Sequence, residues 1–145
     1  MRAIIQRVSS AMLVTENTKA KKIGRGIVAL VGVEKGDSQT QVRRLAERLL
    51  AYRIFPDLEG RMNLSLSDIQ GSLLLVPNFT VAADTGKGTR AGFSTAAAPA
   101  DGKLLFDKLV EVIGEKHVHV ETGIFGTDMQ ITLTNDGPVT FILNS

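Results

Sequence analysis

The 145-residue chain contains no cysteine and no tryptophan, and it has one tyrosine, two histidines and four prolines. Without cysteine there is no disulfide, no thiolate metal site and no cysteine nucleophile, and nothing points to an oxidising compartment. No apolar run approaches the roughly 20 residues needed to span a bilayer. The alternating start, Met1-Arg2-Ala3-Ile4-Ile5-Gln6-Arg7-Val8, also lacks the apolar core of a signal peptide. A cytoplasmic protein with no membrane partner is therefore expected. Charge of one sign is scarce too: the formal net charge is +2 and the basic residues are scattered, which is a weak hint of a polyanionic partner. There is no Walker loop and no Gly-x-Ser-x-Gly elbow, and Gly24-Arg25-Gly26 is too short for a dinucleotide fingerprint. His117 and His119 lie two apart on an expected strand and share a face with Glu121, but three ligands in a row on one strand do not close round one ion. No metal and no cofactor are expected.

What is present reads as one domain over residues 1–145, long enough to bury a core without staples. Strand-like text runs from Arg2 to Val8 and from Ala11 to Thr15, then, after a Glu16-Asn17-Thr18 turn, from Lys19 to Ile23. Ile27 to Val33 is apolar throughout, as in a strand covered on both faces. Ser38-Gln39-Thr40-Gln41 has capping-box spacing, and Val42, Leu45, Ala46, Leu49 and Leu50 recur at helical intervals, which predicts a helix over about Gln39–Tyr52. Its arginines read more simply as a solvated face than as an RNA contact. Arg61 to Leu66 reads as a short strand or extended arm and Ser72 to Val76 as a buried strand that ends at Pro77. Ala82 to Ala100 is a long aperiodic stretch of small residues, of the kind that carries function. A second helix is predicted from Pro99-Ala100-Asp101 to about Ile113, stopped by Gly114. Strands return between His117 and Leu143. The order predicts a mixed α/β fold with two main helices packed on one side of the sheet system.

Two stretches remain as candidates for chemistry. At the end of a buried strand, Pro77-Asn78-Phe79-Thr80-Val81 would set an aromatic wall and a hydroxyl beside free backbone N–H groups able to receive an oxyanion. Phe79 as core and Thr80 as a plain β-former is the simpler alternative. Near the C-terminus, Asn135-Asp136-Gly137-Pro138 interrupts two strand-like runs. Proline has no N–H and glycine tolerates unusual angles, so a turn is forced there, an ordinary hairpin turn on the simplest view.

Taken together the two stretches resemble the D-aminoacyl-tRNA deacylases. Asn135 to Thr140 matches that family's Asn-x-Gly-Pro-Val-Thr signature, and Pro77 to Thr80 aligns with its Ser-Gln-Phe-Thr strand end. Likeness extends through Ile5-Gln6-Arg7-Val8, Leu30-Val31-Gly32-Val33, Tyr52-Arg53-Ile54-Phe55, Met62-Asn63-Leu64 and Phe125-Gly126-Thr127-Asp128-Met129, so it covers essentially the whole chain. The resemblance implies a homodimer with β/β/α layers and hydrolysis of the ester of D-aminoacyl-tRNA, with mischarged glycyl-tRNA also accepted. It implies a cis Gly137-Pro138 bond on a turn that enters the partner's active site, where its carbonyls grip the substrate amino group. Phe79 and Thr80 are the implied catalytic residues, acting through backbone N–H groups with help from the terminal ribose hydroxyl. Asn78, Met129, Gly137 and Pro138 are implied to bind substrate.

The chain departs from the pattern at two places, with Pro77 for Ser and Asn78 for Gln. That leaves room for relaxed chiral selectivity, or for a module that binds the tRNA acceptor end without turnover. A dimeric interaction domain unrelated to RNA is the third reading. Lys87 and Arg90 in the long loop are candidates for touching the acceptor stem, against simple solvation.

Overall fold

The computed structural model describes residues 1–16 and 18–145. The turn expected at Glu16-Asn17-Thr18 therefore has its centre, Asn17, outside the described residues. The described residues form eight strands, three α-helices and one 3₁₀ turn in the order β1 (Arg2–Thr15), β2 (Thr18–Ile23), β3 (Gly26–Gly32), α1 (Gln39–Ala51), β4 (Phe55–Pro56), β5 (Met62–Leu64), α2 (Leu66–Ile69), β6 (Ser72–Pro77), the 3₁₀ turn (Phe79–Ala82), α3 (Pro99–Gly114), β7 (Val120–Thr122) and β8 (Gln130–Asn144).

β1 is one strand rather than two, and it is the spine of the main sheet. Its first half pairs antiparallel with β3, its second half with β2, and its other edge pairs along its length with β8. β3, β6 and β7 continue the sheet in parallel. Both parallel steps are crossovers, β3 through α1 to β6 and β6 through α3 to β7. Steps taken in the same direction with the usual right-handed sense put both helices on one face.

Alternation along the strands sorts the apolar residues into two cores. Ala3, Ile5, Ile27, Ala29, Val31, Leu73 and Leu75 meet Val42, Leu45 and Leu49 of α1 and Phe106, Leu109 and Ile113 of α3. The intervening Val28, Leu74 and Val76 meet Val8, Ala11, Leu13 and Ile23. β1 thus serves the helix side with its first half and the opposite side with its second, having shifted register between Val8 and Ser10. The sheet curls over itself, and the result is a mixed α/β fold, as expected, with a nearly closed sheet and two main helices against one face.

α1 starts where expected. Ser38 accepts from Thr40 N–H while Gln41 Oε1 accepts from Ser38 N–H at 3.0 Å. The strand expected over Arg61–Leu66 stops at Leu64, because Ser65 and Asp68 form a second capping box that opens the four-residue α2. Those bonds also hold the Asp68 carboxyl below its ordinary range, the Ser65 side chain contributing most. His117 and His119 do not share a strand face. β7 begins only at Val120, and His117 turns inward to donate from Nε2 to the Gly71 carbonyl at 2.6 Å, while His119 is exposed.

Candidate active site

β6 is buried along its length and ends at Pro77, whose partner across the parallel ladder is Val31. The chain then tightens into the 3₁₀ turn. Asn78 donates its backbone N–H to Val31 O at 2.8 Å, and its side chain caps the turn by accepting from Thr80 N–H at 3.2 Å and from Thr80 Oγ1. Gly32 lets the turn lie against β3, since a Cβ there would come 2.8 Å from Ala82 N.

Of the two N–H groups expected to receive an oxyanion, that of Thr80 is occupied by Asn78 Oδ1. That of Phe79, first in the turn, has no acceptor among the described residues. Thr80 gives its hydroxyl proton to a carboxamide oxygen, which is no base, so its geometry is not that of an activated nucleophile.

The Phe79 ring is 58% exposed and forms a wall between two cavities. One, of about 350 Å3, is lined by Pro77, Asn78, Phe79, Asp128, Met129 and Ile131 among others. Asn78, Phe79 and Met129 are thus gathered in one place. The other, of about 550 Å3, is almost wholly apolar and is lined by Phe79, Phe93, Phe125 and the Ala96–Pro99 segment. Phe79 and Phe93 lie with ring centroids 5.0 Å apart. Three of the six phenylalanines in the chain therefore converge on this wall. Phe93 carried a usable signal, as a large apolar residue alone in a loop of small ones; the approach of Phe125 from beyond α3 left no local trace.

Gly137 and Pro138 do not sit in a hairpin turn. Both flanks of the Asn135–Val139 segment pair with β1, with Gln6 opposite Thr140 and Val8 opposite Asn135. The chain therefore bulges out of one continuous strand and does not reverse. Between those two pairs one residue of β1, Arg7, faces four of β8, Asp136 to Val139, which leaves the extra residues to project. The Gly137-Pro138 peptide bond is cis, and both residues are exposed.

The bulge is tied down on several sides. Asn135 Oδ1 accepts from Val139 N–H at 2.7 Å, and Asn135 Nδ2 donates to Val139 O and Thr140 Oγ1, each at 3.2 Å. Arg7, only 12% exposed, donates from Nε to Asp136 O and from its guanidinium to Ile54 O, both at 2.7 Å, and pairs with the Asp136 carboxylate at 3.3 Å. Nothing local in the sequence marks Arg7 for this task. At Gly137 a Cβ would come 2.2 Å from Val139 N, so only glycine fits.

Within one chain the bulge and the Phe79 turn are apart. β8, β1, β3 and β6 lie in that order, so three interstrand steps of about 4.8 Å separate them across the sheet. Along the strands, Thr140 stands level with Leu74 through Gln6 and Val28, three residues or about 10 Å before Pro77.

A family model described as D-Tyr-tRNA(Tyr) deacylase matches residues 4–144. A D-aminoacyl-tRNA deacylase of Methylococcus capsulatus is 56% identical over 143 residues, covering 99% of this chain and 94% of that one. One from Teredinibacter turnerae is 52% identical with all of both chains covered. Among solved structures, the c-Myc DNA Unwinding Element Binding Protein superposes with a TM-score of 0.94 at 30% identity, covering 100% of this chain and 99% of that one. A probable eukaryotic D-amino acid tRNA deacylase, at TM-score 0.81 and 19% identity over 99% of this chain and 98% of its own, shares the fold. Among the described residues no helix is long and apolar enough to cross a membrane.

Proposed function

This chain belongs to the D-Tyr-tRNA(Tyr) deacylase family, which hydrolyses the ester bond of D-aminoacyl-tRNA, and from that premise we propose how its geometry performs the reaction and selects the substrate. The ester carbonyl lies against the Phe79 turn, in the cavity shared with Asn78 and Met129. Water attacks the carbonyl carbon, and the negative charge that develops on its oxygen is met by the Phe79 N–H, with the Thr80 N–H available once Asn78 Oδ1 releases it. The bond to the ribose oxygen then breaks, that oxygen takes a proton, and the free D-amino acid and tRNA leave. The neighbouring ribose hydroxyl assists. An aminoacyl ester is reactive enough for positioning and oxyanion stabilisation to suffice.

Selection is assigned to the Gly137-Pro138 bulge of a second copy. The observation that carries this reading is the bulge itself, exposed and glycine-restricted, held by Arg7 and Asn135, and remote from Phe79 in its own chain. β8 pairs only with β1 among the described strands, so its outer edge is open to a partner. Carbonyls of the incoming bulge grip the protonated α-amine, and Asp128 in the cavity lining adds negative potential there. With amine and ester both fixed, an L side chain points into backbone while a D side chain points outward. Glycine has no side chain to reject, which makes misacylated glycyl-tRNA a second substrate. The role is then chiral proofreading, carried out in the cytoplasm where charged tRNA is used.

Deacylation of D-Tyr-tRNA, L-Tyr-tRNA and Gly-tRNA tests the scheme. Release from the D and glycyl substrates with the L substrate spared is expected; equal release of both enantiomers would overturn the selection, and no release the activity. The shared site is tested by mixing. Phe79→Pro and Gly137→Ala chains, each at about 1% of wild-type activity or less alone, should rise to about a quarter of wild-type activity on exchange, because half the dimers become mixed and each holds one intact site. No recovery in demonstrably exchanged dimers would place both elements in one subunit.

A further inference from the structure

We propose that the loop from Asp84 to Gly92 is a phosphate clip in which Lys87 and Arg90 hold the backbone of the RNA 3′ strand; this rests on the deacylase function and extends it from the ester to the nucleotides that precede it. The loop is a built structure. Asp84 and Gly92 exchange both backbone hydrogen bonds, at 2.8 and 2.9 Å, and Asp84 Oδ1 accepts from Gly86 N–H at 2.9 Å. Its base is anchored where Thr95 Oγ1 donates to Ala82 O and Lys35 N–H donates to Thr95 O at 2.8 Å.

The tip carries Lys87 and Arg90, both exposed and with no carboxylate within ion-pair distance among the described residues. Asp84, the nearest acid in the chain, is committed to the turn. Other cations lack carboxylate partners too, and position is what separates this pair from them. Arg48, for example, is on α1 in the helix layer, where it donates to Asn144 O. By contrast Gly92 leads straight into Phe93, whose ring lies against that of Phe79 at a tilt of 55°. Arg90 is two residues and Lys87 three from the Asp84–Gly92 pair, so at the extended limit of about 3.3 Å per residue they stand no more than about 7 and 10 Å beyond it. An RNA strand whose terminal nucleoside meets Phe79 and Phe93 runs its phosphates past this tip, and two unpaired cations there match them.

The test compares wild type with the double variant Lys87→Ala/Arg90→Ala on two substrates, D-Tyr-tRNA and D-tyrosyl-adenosine, the second having no phosphate. On D-Tyr-tRNA, kcat/KM should fall about tenfold through KM, and the slope of its logarithm against log salt should lessen by about 1.4, or 0.7 for each phosphate no longer neutralised. Hydrolysis of D-tyrosyl-adenosine should not change, and the charge-keeping variant Lys87→Arg/Arg90→Lys should retain most of the wild-type salt slope. An unchanged slope on tRNA, or an equal loss on both substrates, would overturn the clip. Should the wild type cleave neither substrate, it is the deacylase reading that fails. Salt-dependent binding of uncharged tRNA then still decides the clip, with equal slopes for wild type and double variant counting against it.

Discussion

Each wall of the proposed site is a backbone turn opened by an asparagine, and the two asparagines are used differently. Asn135 engages its bulge with both ends of its amide, accepting from Val139 N–H and donating to Val139 O and Thr140 Oγ1. Arg7 adds two hydrogen bonds and an ion pair. Asn78 engages its turn through Oδ1 alone, with both bonds going to the next residue but one, Thr80. The bulge is therefore over-determined, as the proposed wall that rejects a side chain by shape would have to be. The Phe79 turn keeps a donor in reserve, which suits a wall that must meet a charge absent from the ground state.

The sharpest way to break this contrast is to remove the reserved donor. Phe79 is first in the 3₁₀ turn, where a helical φ is required and the N–H has no intrahelical partner, and Asn78 before it is extended at φ −146° and ψ 95°. Proline is compatible with such a position. Phe79→Pro should lower kcat about 100- to 1,000-fold, the usual loss for one oxyanion donor. Phe79→Ala keeps the N–H and should act mainly on KM. If single-turnover assays show the two variants equally impaired in kcat, the ring and not the amide is the catalytic element.

Gly137→Ala attacks the rigid wall. A Cβ 2.2 Å from Val139 N forces the bulge to rearrange, and misplacement by about 1 Å can cost about 100-fold in rate. The expected result is a loss of that size on D-Tyr-tRNA with an unchanged far-ultraviolet circular dichroism spectrum. Arg7→Ala loosens the same wall without deforming it. Each charged hydrogen bond removed is worth about 1.5–3 kcal/mol. The D-over-L preference should narrow about tenfold while D-Tyr-tRNA is still cleaved, and urea unfolding should show the lower stability. An intact preference would mean that the strand pairing alone holds the bulge.

How much of these two walls could be read from the sequence follows from how local each signal is. α1 was legible because its capping box and apolar stripe lie within 13 residues. α2 was not, since a four-residue helix has no period to detect and only its Ser65–Asp68 cap betrays it. The Asn135–Pro138 stretch reads equally well as a hairpin turn or a bulge. The difference lies in whether its flanks pair with each other or with β1, a strand more than 120 residues away in sequence. Arg7 and Phe125 share that limitation, as residues whose roles exist only once distant strands and loops are brought together. Asn78, Phe79 and Met129 were legible through family likeness, and they do line one cavity.

The smallest expected effect bears on Thr80, and it decides between two chemistries. Its hydroxyl donates to Asn78 Oδ1, and a carboxamide cannot take the proton that a nucleophilic hydroxyl must lose. Removing the hydroxyl leaves the Thr80 N–H in place and still capped by Asn78 through the backbone bond. Thr80→Ala should therefore lower kcat only a few-fold, since it removes one hydrogen bond of roughly 1 kcal/mol that steadies the turn. A loss of several orders of magnitude, with a covalent aminoacyl-enzyme trapped on rapid quenching, would instead make the hydroxyl the nucleophile. The reserve that separates the Phe79 turn from the Gly137 bulge would then belong to a side chain rather than to the backbone.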